Sequence, residues 1–270
     1  MAGVAPAVEL KPSTGSTNDD VMELARAGAA HGTCVATGMQ TAGRGRRGHV
    51  WQSPEGGLYL SVLLRPGVPM SQFVAVPAVC SMGVVDALRA CGCQDVGIKW
   101  PNDVVAGGRK LAGLLAEGGY GEGGAFVVVG IGINLVRQAA VEELVATAQD
   151  GSKRPLGPAF AQELLEDGTE LPPLAELAER VRDAVLARVN AWTADIAAGR
   201  GAAGPLAPVL SEYFDQVPML GKRVSVLLPD GREALQGTFA GVDVWGRATV
   251  VADDGQQVEL TSEQASLREL

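Results

Sequence analysis

Gly43-Arg44-Gly45-Arg46-Arg47-Gly48-His49-Val50-Trp51 has the glycine spacing of a dinucleotide-binding fingerprint, but the residues after it rule that fold out. The fingerprint must leave a strand and open a helix at once, because the helix N-terminus receives the pyrophosphate. Here Gly48 leads instead into His49-Val50-Trp51-Gln52-Ser53-Pro54 and then the strand-like run Leu58 to Leu64. The segment also lacks a Gly-Lys-Ser/Thr ending, which removes the phosphate loop of nucleotide hydrolases as well. What is left is a glycine-rich loop with three arginines in a chain of formal net charge -9. No Asp or Glu lies between Glu23 and Glu55, so Arg44, Arg46 and Arg47 lack a sequence-near carboxylate and repel one another when crowded. The loop reads as a seat for an anion; a solvated basic turn and an arginine-rich RNA contact are the alternatives at this point.

Composition narrows the partner. With 31 acidic and 22 basic residues and a pI near 4.8, a duplex nucleic-acid face is disfavoured, whereas a small anion such as ATP is compatible. The 270 residues, 47% apolar, suffice for a sizeable core in one large or two smaller domains. Met1-Ala2-Gly3-Val4-Ala5-Pro6 has neither early positive charge nor a signal-peptide core, and the apolar stretch Phe73 to Val85 is interrupted by Pro77, Ser81 and Gly83. A cytoplasmic protein without a membrane span is expected. Cys34, Cys80, Cys91 and Cys93 lack metal-site spacing and read as buried or incidental thiols.

Outward from the loop, Ser16-Thr17-Asn18 predicts a helix cap, with Val21, Leu24, Ala25 and Gly28 at helical spacing behind it. Strands are predicted over Thr33 to Thr37, Leu58 to Leu64, Val96 to Lys99, Val104 to Val105, Lys110 to Ala116 and Phe126 to Leu135, with a hairpin at Gly107-Gly108. Gly130 and Gly132 inside a buried strand suggest a close backbone approach. Ser71 to Ala90 reads as a long helix kinked or interrupted near Pro77, and Leu174, Leu177, Val181, Val185, Val189 and Trp192 mark one apolar stripe of another. Gln138 to Pro158 carries weaker signals. From about Gly221 short alternating strands, Arg223 to Leu227, Leu235 to Val242, Ala248 to Val251 and Gln257 to Leu260, have the spacing of a small β-barrel.

Four segments read together are specific: Ser16-Thr17-Asn18; Gln40 with Gly43 to Trp51; Lys99-Trp100-Pro101-Asn102-Asp103 through Lys110-Leu111-Ala112-Gly113; and Gly130-Ile131-Gly132-Ile133-Asn134. Their order and wording closely resemble the biotin protein ligases, from about residue 13 to 136. The resemblance implies an α+β catalytic domain over residues 1–218, a mixed sheet flanked by helices of the class II synthetase type. It also implies a small all-β barrel of the Src-homology-3 type over 219–270. The implied activity joins biotin to ATP as biotinyl-5′-AMP with Mg²⁺ and passes the biotinyl group to a lysine of a biotin carboxyl carrier protein.

By the same resemblance Arg44, Arg46 and Lys110 are catalytic. Ser16, Thr17, Asn18, Gln40, Gly43, Arg44, Gly45, Arg46, Lys110, Gly113 and Gly132 bind biotin; Arg46, Arg47, Trp51, Lys99, Asn102 and Asn134 bind ATP; and Asp103 holds the metal. Attack of a carboxylate on an α-phosphate brings two anions together, which suits a lysine and arginine cluster. His49 stands where the family often has arginine or lysine, so the loop charge is smaller. Trp51 is read either as stacking near adenine or as core. The first motif begins near Ser13, so no DNA-binding helix-turn-helix is expected ahead of it; a homodimer paired through strand edges beside Val128 to Leu135 is left open.

Overall fold

Leu58, Leu60, Val62 and Leu64 alternate with Tyr59, Ser61 and Leu63, and every one of these residues is buried, because the strand that carries them is covered on both faces. The computed structural model describes residues 5–139, 141 and 157–270. Its larger sheet comprises β1 (Glu9–Lys11), β2 (Cys34–Thr37), β3 (Gly57–Leu64), β4 (Val96–Lys99), β5 (Asp103–Ala106), β6 (Arg109–Gly121) and β7 (Gly124–Asn134), in the order β1-β2-β3-β7-β6-β5-β4. Only β1 and β2 pair in parallel, so the sheet is mixed. Glycines at 107 and 108, with φ of 54° and 75°, turn β5 into β6 as the hairpin reading expects.

Helices cover the two faces unequally. The helix α1 (Thr17–Arg26) buries Val21 and Ala25 against Leu63, Phe126 and Val128. The opposite face, with Leu58, Leu60, Val127, Val129, Ile131 and Ile133, meets α2 (Val76–Ala90) and α3 (Leu174–Ala197) in the main core. Pro77 lies in the first turn of α2, after a 3-10 turn over Met70–Ala75, so the expected kink is a helix start, where proline's missing N–H costs nothing. The combined stretch Met70–Ala90 is long and apolar enough to cross a membrane, contrary to the sequence reading, but 61% of its apolar window is buried inside the fold. Ser16 occupies the N-cap of α1 without a side-chain cap bond, and Gly28, at φ 84°, lies beyond the helix end.

The smaller sheet is five antiparallel strands, β8 (Arg223–Leu227), β9 (Glu233–Val242), β10 (Ala248–Ala252), β11 (Gln257–Leu260) and β12 (Ser266–Glu269), in the order β11-β10-β9-β8-β12. A short helix α4 (Leu210–Asp215) precedes it. The sequence pattern predicts neither β1, α4 nor β12; each is six residues or shorter and lacks a periodic pattern of its own. Core residues run without a break from the large sheet into Val224, Phe239 and Val250, and the Trp100 indole N–H donates to the Gly246 carbonyl at 2.9 Å. Most of Gln138 to Pro158 falls outside the described residues. β7 itself lies between β3 and β6 and is paired on both sides, and the sheet's outer strands are β1 and β4.

The four cysteines are free and buried, as read from sequence, and burial pushes the Cys34 thiol up to about 12. The packing of α2 on α3 is closest at Gly83, where a Cβ would stand 2.7 Å from the Cα of Val185. Gly83→Val is therefore expected to cost about 1–3 kcal/mol or more through overpacking, measured as a lower denaturant midpoint at unchanged m-value.

Candidate functional site

The arginine loop is a tight hairpin. The Gly45 N–H donates to the His49 carbonyl at 2.7 Å and the Trp51 N–H to that of Gly43 at 3.0 Å. Arg47 at φ 56° and Gly48 at φ 74° turn its tip. A Cβ on Gly43 would collide with Ser53 Oγ and the Trp51 carbonyl, so the base of the hairpin tolerates only glycine there.

Its arginines divide into two kinds, and the carboxylates that one of them meets are distant in sequence, as the lack of sequence-near partners requires. Arg44 grips Asp19 in a bidentate pair, Nη1 to Oδ2 at 2.5 Å and Nη2 to Oδ1 at 2.7 Å, and reaches Glu117 at 3.3 Å. That guanidinium holds the Asp19 carboxyl below its ordinary value. Among the described residues Arg46 and Arg47 hydrogen-bond only to neutral oxygens: both donate to the Ser262 carbonyl at 2.5 Å, Arg46 also to Asn102 Oδ1 at 3.2 Å and Arg47 to the Ala265 carbonyl at 3.3 Å. Burial, then repulsion from Arg47, lowers the Arg46 guanidinium pKa.

Behind the loop lies a wall of hydrogen-bonding groups. Gln40 Oε1 accepts from the Thr17 N–H at 2.8 Å and from its hydroxyl at 3.1 Å, while Gln40 Nε2 donates to Ser53 Oγ at 3.0 Å. Ser61 Oγ, fully buried, lies 2.6 Å from Asn18 Oδ1, and Asn18 Nδ2 donates to Glu117 at 2.6 Å. A Cβ on Gly130 would overlap Asn18 Oδ1. The next two sheet glycines form a floor: a Cβ on Gly132 would overlap the Trp51 indole nitrogen, and one on Gly113 would stand 3.0 Å from the indole and 3.2 Å from Lys110 Cε. The Trp51 ring thus lies over this floor, its buried N–H without a hydrogen-bond partner among the described residues.

At the other end Lys110 Nζ pairs with Asp103 at 2.7 Å and lies 5.0 Å from the Trp51 ring centroid. Burial pulls the Lys99 pKa down, with Asp103 opposing and Lys110 and Arg268 adding to the fall. Asn102 Nδ2 donates to the Leu114 carbonyl at 2.5 Å, and Asn134 Nδ2 to the carbonyls of Lys110 and Ala159, each at 3.3 Å, so both amides tie backbone together. Among the described residues no cluster of three His, Cys, Asp or Glu could hold a metal unaided.

One cavity of about 1300 Å³ is lined by every sequence-predicted site residue except Gly43, which shapes the loop from behind. Sequence reasoning missed Asp19, Glu117, Ser53 and Ser61, whose roles depend on pairing across 13 to 99 positions. For Asp19 the available signal was an acidic residue in a first helical turn directly after the Ser-Thr-Asn motif, with a surplus of arginines elsewhere.

The model of the biotin/lipoate A/B protein ligase family matches residues 10–134. The biotin--[acetyl-CoA-carboxylase] ligase of Mycobacterium tuberculosis is 33% identical over 94% of this chain and 89% of its own length. The bifunctional ligase/repressor BirA of Bacillus spizizenii is 39% identical over 46% of this chain, which spans 39% of that relative. In fold, the chain is similar to the biotin protein ligase of Aquifex aeolicus in complex with biotin and ATP, with TM-score 0.73, 24% identity and coverage of 98% of this chain and 99% of the other.

Trp51→Phe keeps the ring over the glycine floor and removes a buried donor without a partner. It is expected to leave the ligand-free protein as stable as before or about 1 kcal/mol more so, in a denaturant titration. Gly130→Ala, by pushing Asn18 off Ser61, is expected to lose about 1–3 kcal/mol in the same titration.

Proposed function

We propose that this chain, which belongs to the biotin/lipoate A/B protein ligase family, activates biotin with ATP and transfers it to a lysine of a biotin carboxyl carrier protein. The observation that carries the reading is a single cavity joining a polar-walled, glycine-floored slot to a mouth of cations. Biotin is long and mostly apolar, with a neutral urea at one end and a carboxylate at the other. The Thr17 and Gln40 pair supplies donors and acceptors for the urea, and the floor at Gly113 and Gly132 admits the tail once the Trp51 indole swings away. The departing indole then stacks on adenine.

In the first step a biotin carboxylate oxygen bonds to the α-phosphorus as the bond to the β-phosphate oxygen breaks, and pyrophosphate leaves. Lys110 sits between the slot and the mouth, where its ammonium bridges carboxylate and α-phosphate. Arg46, with Arg47 and Lys99, meets the phosphates; its present partners are neutral oxygens, so an anion displaces them. In the second step the acceptor amine attacks the acyl carbon and AMP departs. Mg²⁺ arriving with ATP needs only one or two protein carboxylates beyond the phosphates, and Asp103, shared with Lys110, is the carboxylate in place. When bound, the ion shields the departing pyrophosphate. We also read the smaller sheet as a barrel of the Src-homology-3 type occupying 219–270; register shifts in its β8–β9 and β9–β10 pairs, which bend strands, support this.

Biotin-dependent exchange of labelled pyrophosphate into ATP is expected, unmatched by lipoate, and absence of exchange would remove the reading. Lys110→Ala and Arg46→Ala are each expected to lower exchange about 100-fold or more, as for loss of one charge-stabilising donor. Tryptic cleavage at Arg44 to Arg47 should slow when biotin and MgATP are both present, as a closing loop requires.

A further inference from the structure

We propose that Asp19 and Glu117 are positioning residues that act through Arg44: two carboxylates pin the base of the arginine loop and tie it to the wall of the biotin head pocket. The three groups come from three elements, α1, β6 and the loop. The Glu117 Oε2 that accepts from Arg44 is the one that accepts from Asn18 Nδ2 at 2.6 Å, and Asn18 Oδ1 accepts from Ser61. Arg44 is thus one end of a hydrogen-bonded chain that passes along the pocket wall, through a gap that exists because Gly130 has no side chain.

Charge sets Arg44 apart from its neighbours. Two carboxylates on one guanidinium leave a local net charge of −1, so this side chain is no free cation for phosphate, whereas among the described residues Arg46 and Arg47 hydrogen-bond only to uncharged oxygens. The pair is partly exposed, with side chains 39% and 60% accessible, so it adds little to overall stability. Its bidentate geometry instead fixes where the loop starts. Within the loop, Arg44 is the anchor and Arg46 the reactive cation, and a head group seated against Asn18 finds the loop base already placed over it.

The inference rests on the proposed function, and the test separates the two. Asp19→Asn, Glu117→Gln and the double variant would be assayed by biotin-dependent pyrophosphate exchange. AMP release without carrier would be measured alongside. The double variant is expected to raise KM for biotin about tenfold and AMP leakage several-fold, with KM for ATP changed less than about twofold, and each single variant should fall between it and the wild type. A double variant with wild-type biotin KM and leakage overturns the proposal, as does a change confined to KM for ATP, which would make Arg44 a phosphate contact. Limited trypsin cleavage of the ligand-free loop reads the pin without any substrate and should be faster in the double variant. Wild-type protein without exchange would sink the proposed function and leave the proteolysis result to decide the pin.

Discussion

Backbone laid bare on one face of two neighbouring strands is the constraint on which the site depends. Gly130 and Gly132 on β7 leave no room for even a methyl group and Gly113 on β6 leaves little, and two working parts take the space. Asn18 fills the first, and the Trp51 indole lies over the other two. On the opposite face the same strands carry Val127, Val129, Ile131 and Ile133 into the main core, so the slot rests on a floor as rigid as the protein interior. Glycine weakens a strand, but here β3 pairs with Val127 to Asn134 and β6 with Gly124 to Ile133, so both glycines of β7 are held from either side.

Electrostatics then orders the residues around that floor. The chain is acidic overall, yet Arg44, Arg46, Arg47 and Lys110 line one cavity, held by partners of different strength. Among the described residues Arg44 has two carboxylates, Lys110 has one, and Arg46 and Arg47 hydrogen-bond only to carbonyl and amide oxygens. A guanidinium bound by neutral dipoles gives them up to an anion more readily than one bound by charge. The gradient runs from fixed to exchangeable along four consecutive positions of the loop, although its amino-acid wording treats the arginines alike.

Local chemistry made much of this legible in advance. Val96 to Lys99, Gly107-Gly108 and the buried alternation of Leu58 to Leu64 name their own elements, and the Lys-Trp-Pro-Asn-Asp and Lys-Leu-Ala-Gly segments bring the family with them. What escaped was whatever needed a distant partner to acquire meaning. Glu9–Lys11 is three polar-flanked residues that become a strand only by lying beside Val35 to Thr37. Ser266–Glu269 needs β8, and Glu117 looks like an ordinary strand residue until Arg44 and Asn18 converge on it. Pro77 left kink and interruption open, because a proline marks a helix start as well as a kink, and only the preceding 3-10 turn tells which.

The grip of the smaller sheet on the loop tip is made by main chain: the Ser262 carbonyl receives both Arg46 and Arg47, and the Ala265 carbonyl receives Arg47 again. A carbonyl is present whatever side chain the position bears. The joint between the two parts of the molecule is therefore indifferent to residue identity at its acceptor end and sensitive only to where the chain passes. Ser262 can thus change its side chain while this contact keeps its fit, provided the buried Ala265 and Leu267 hold the path of the chain.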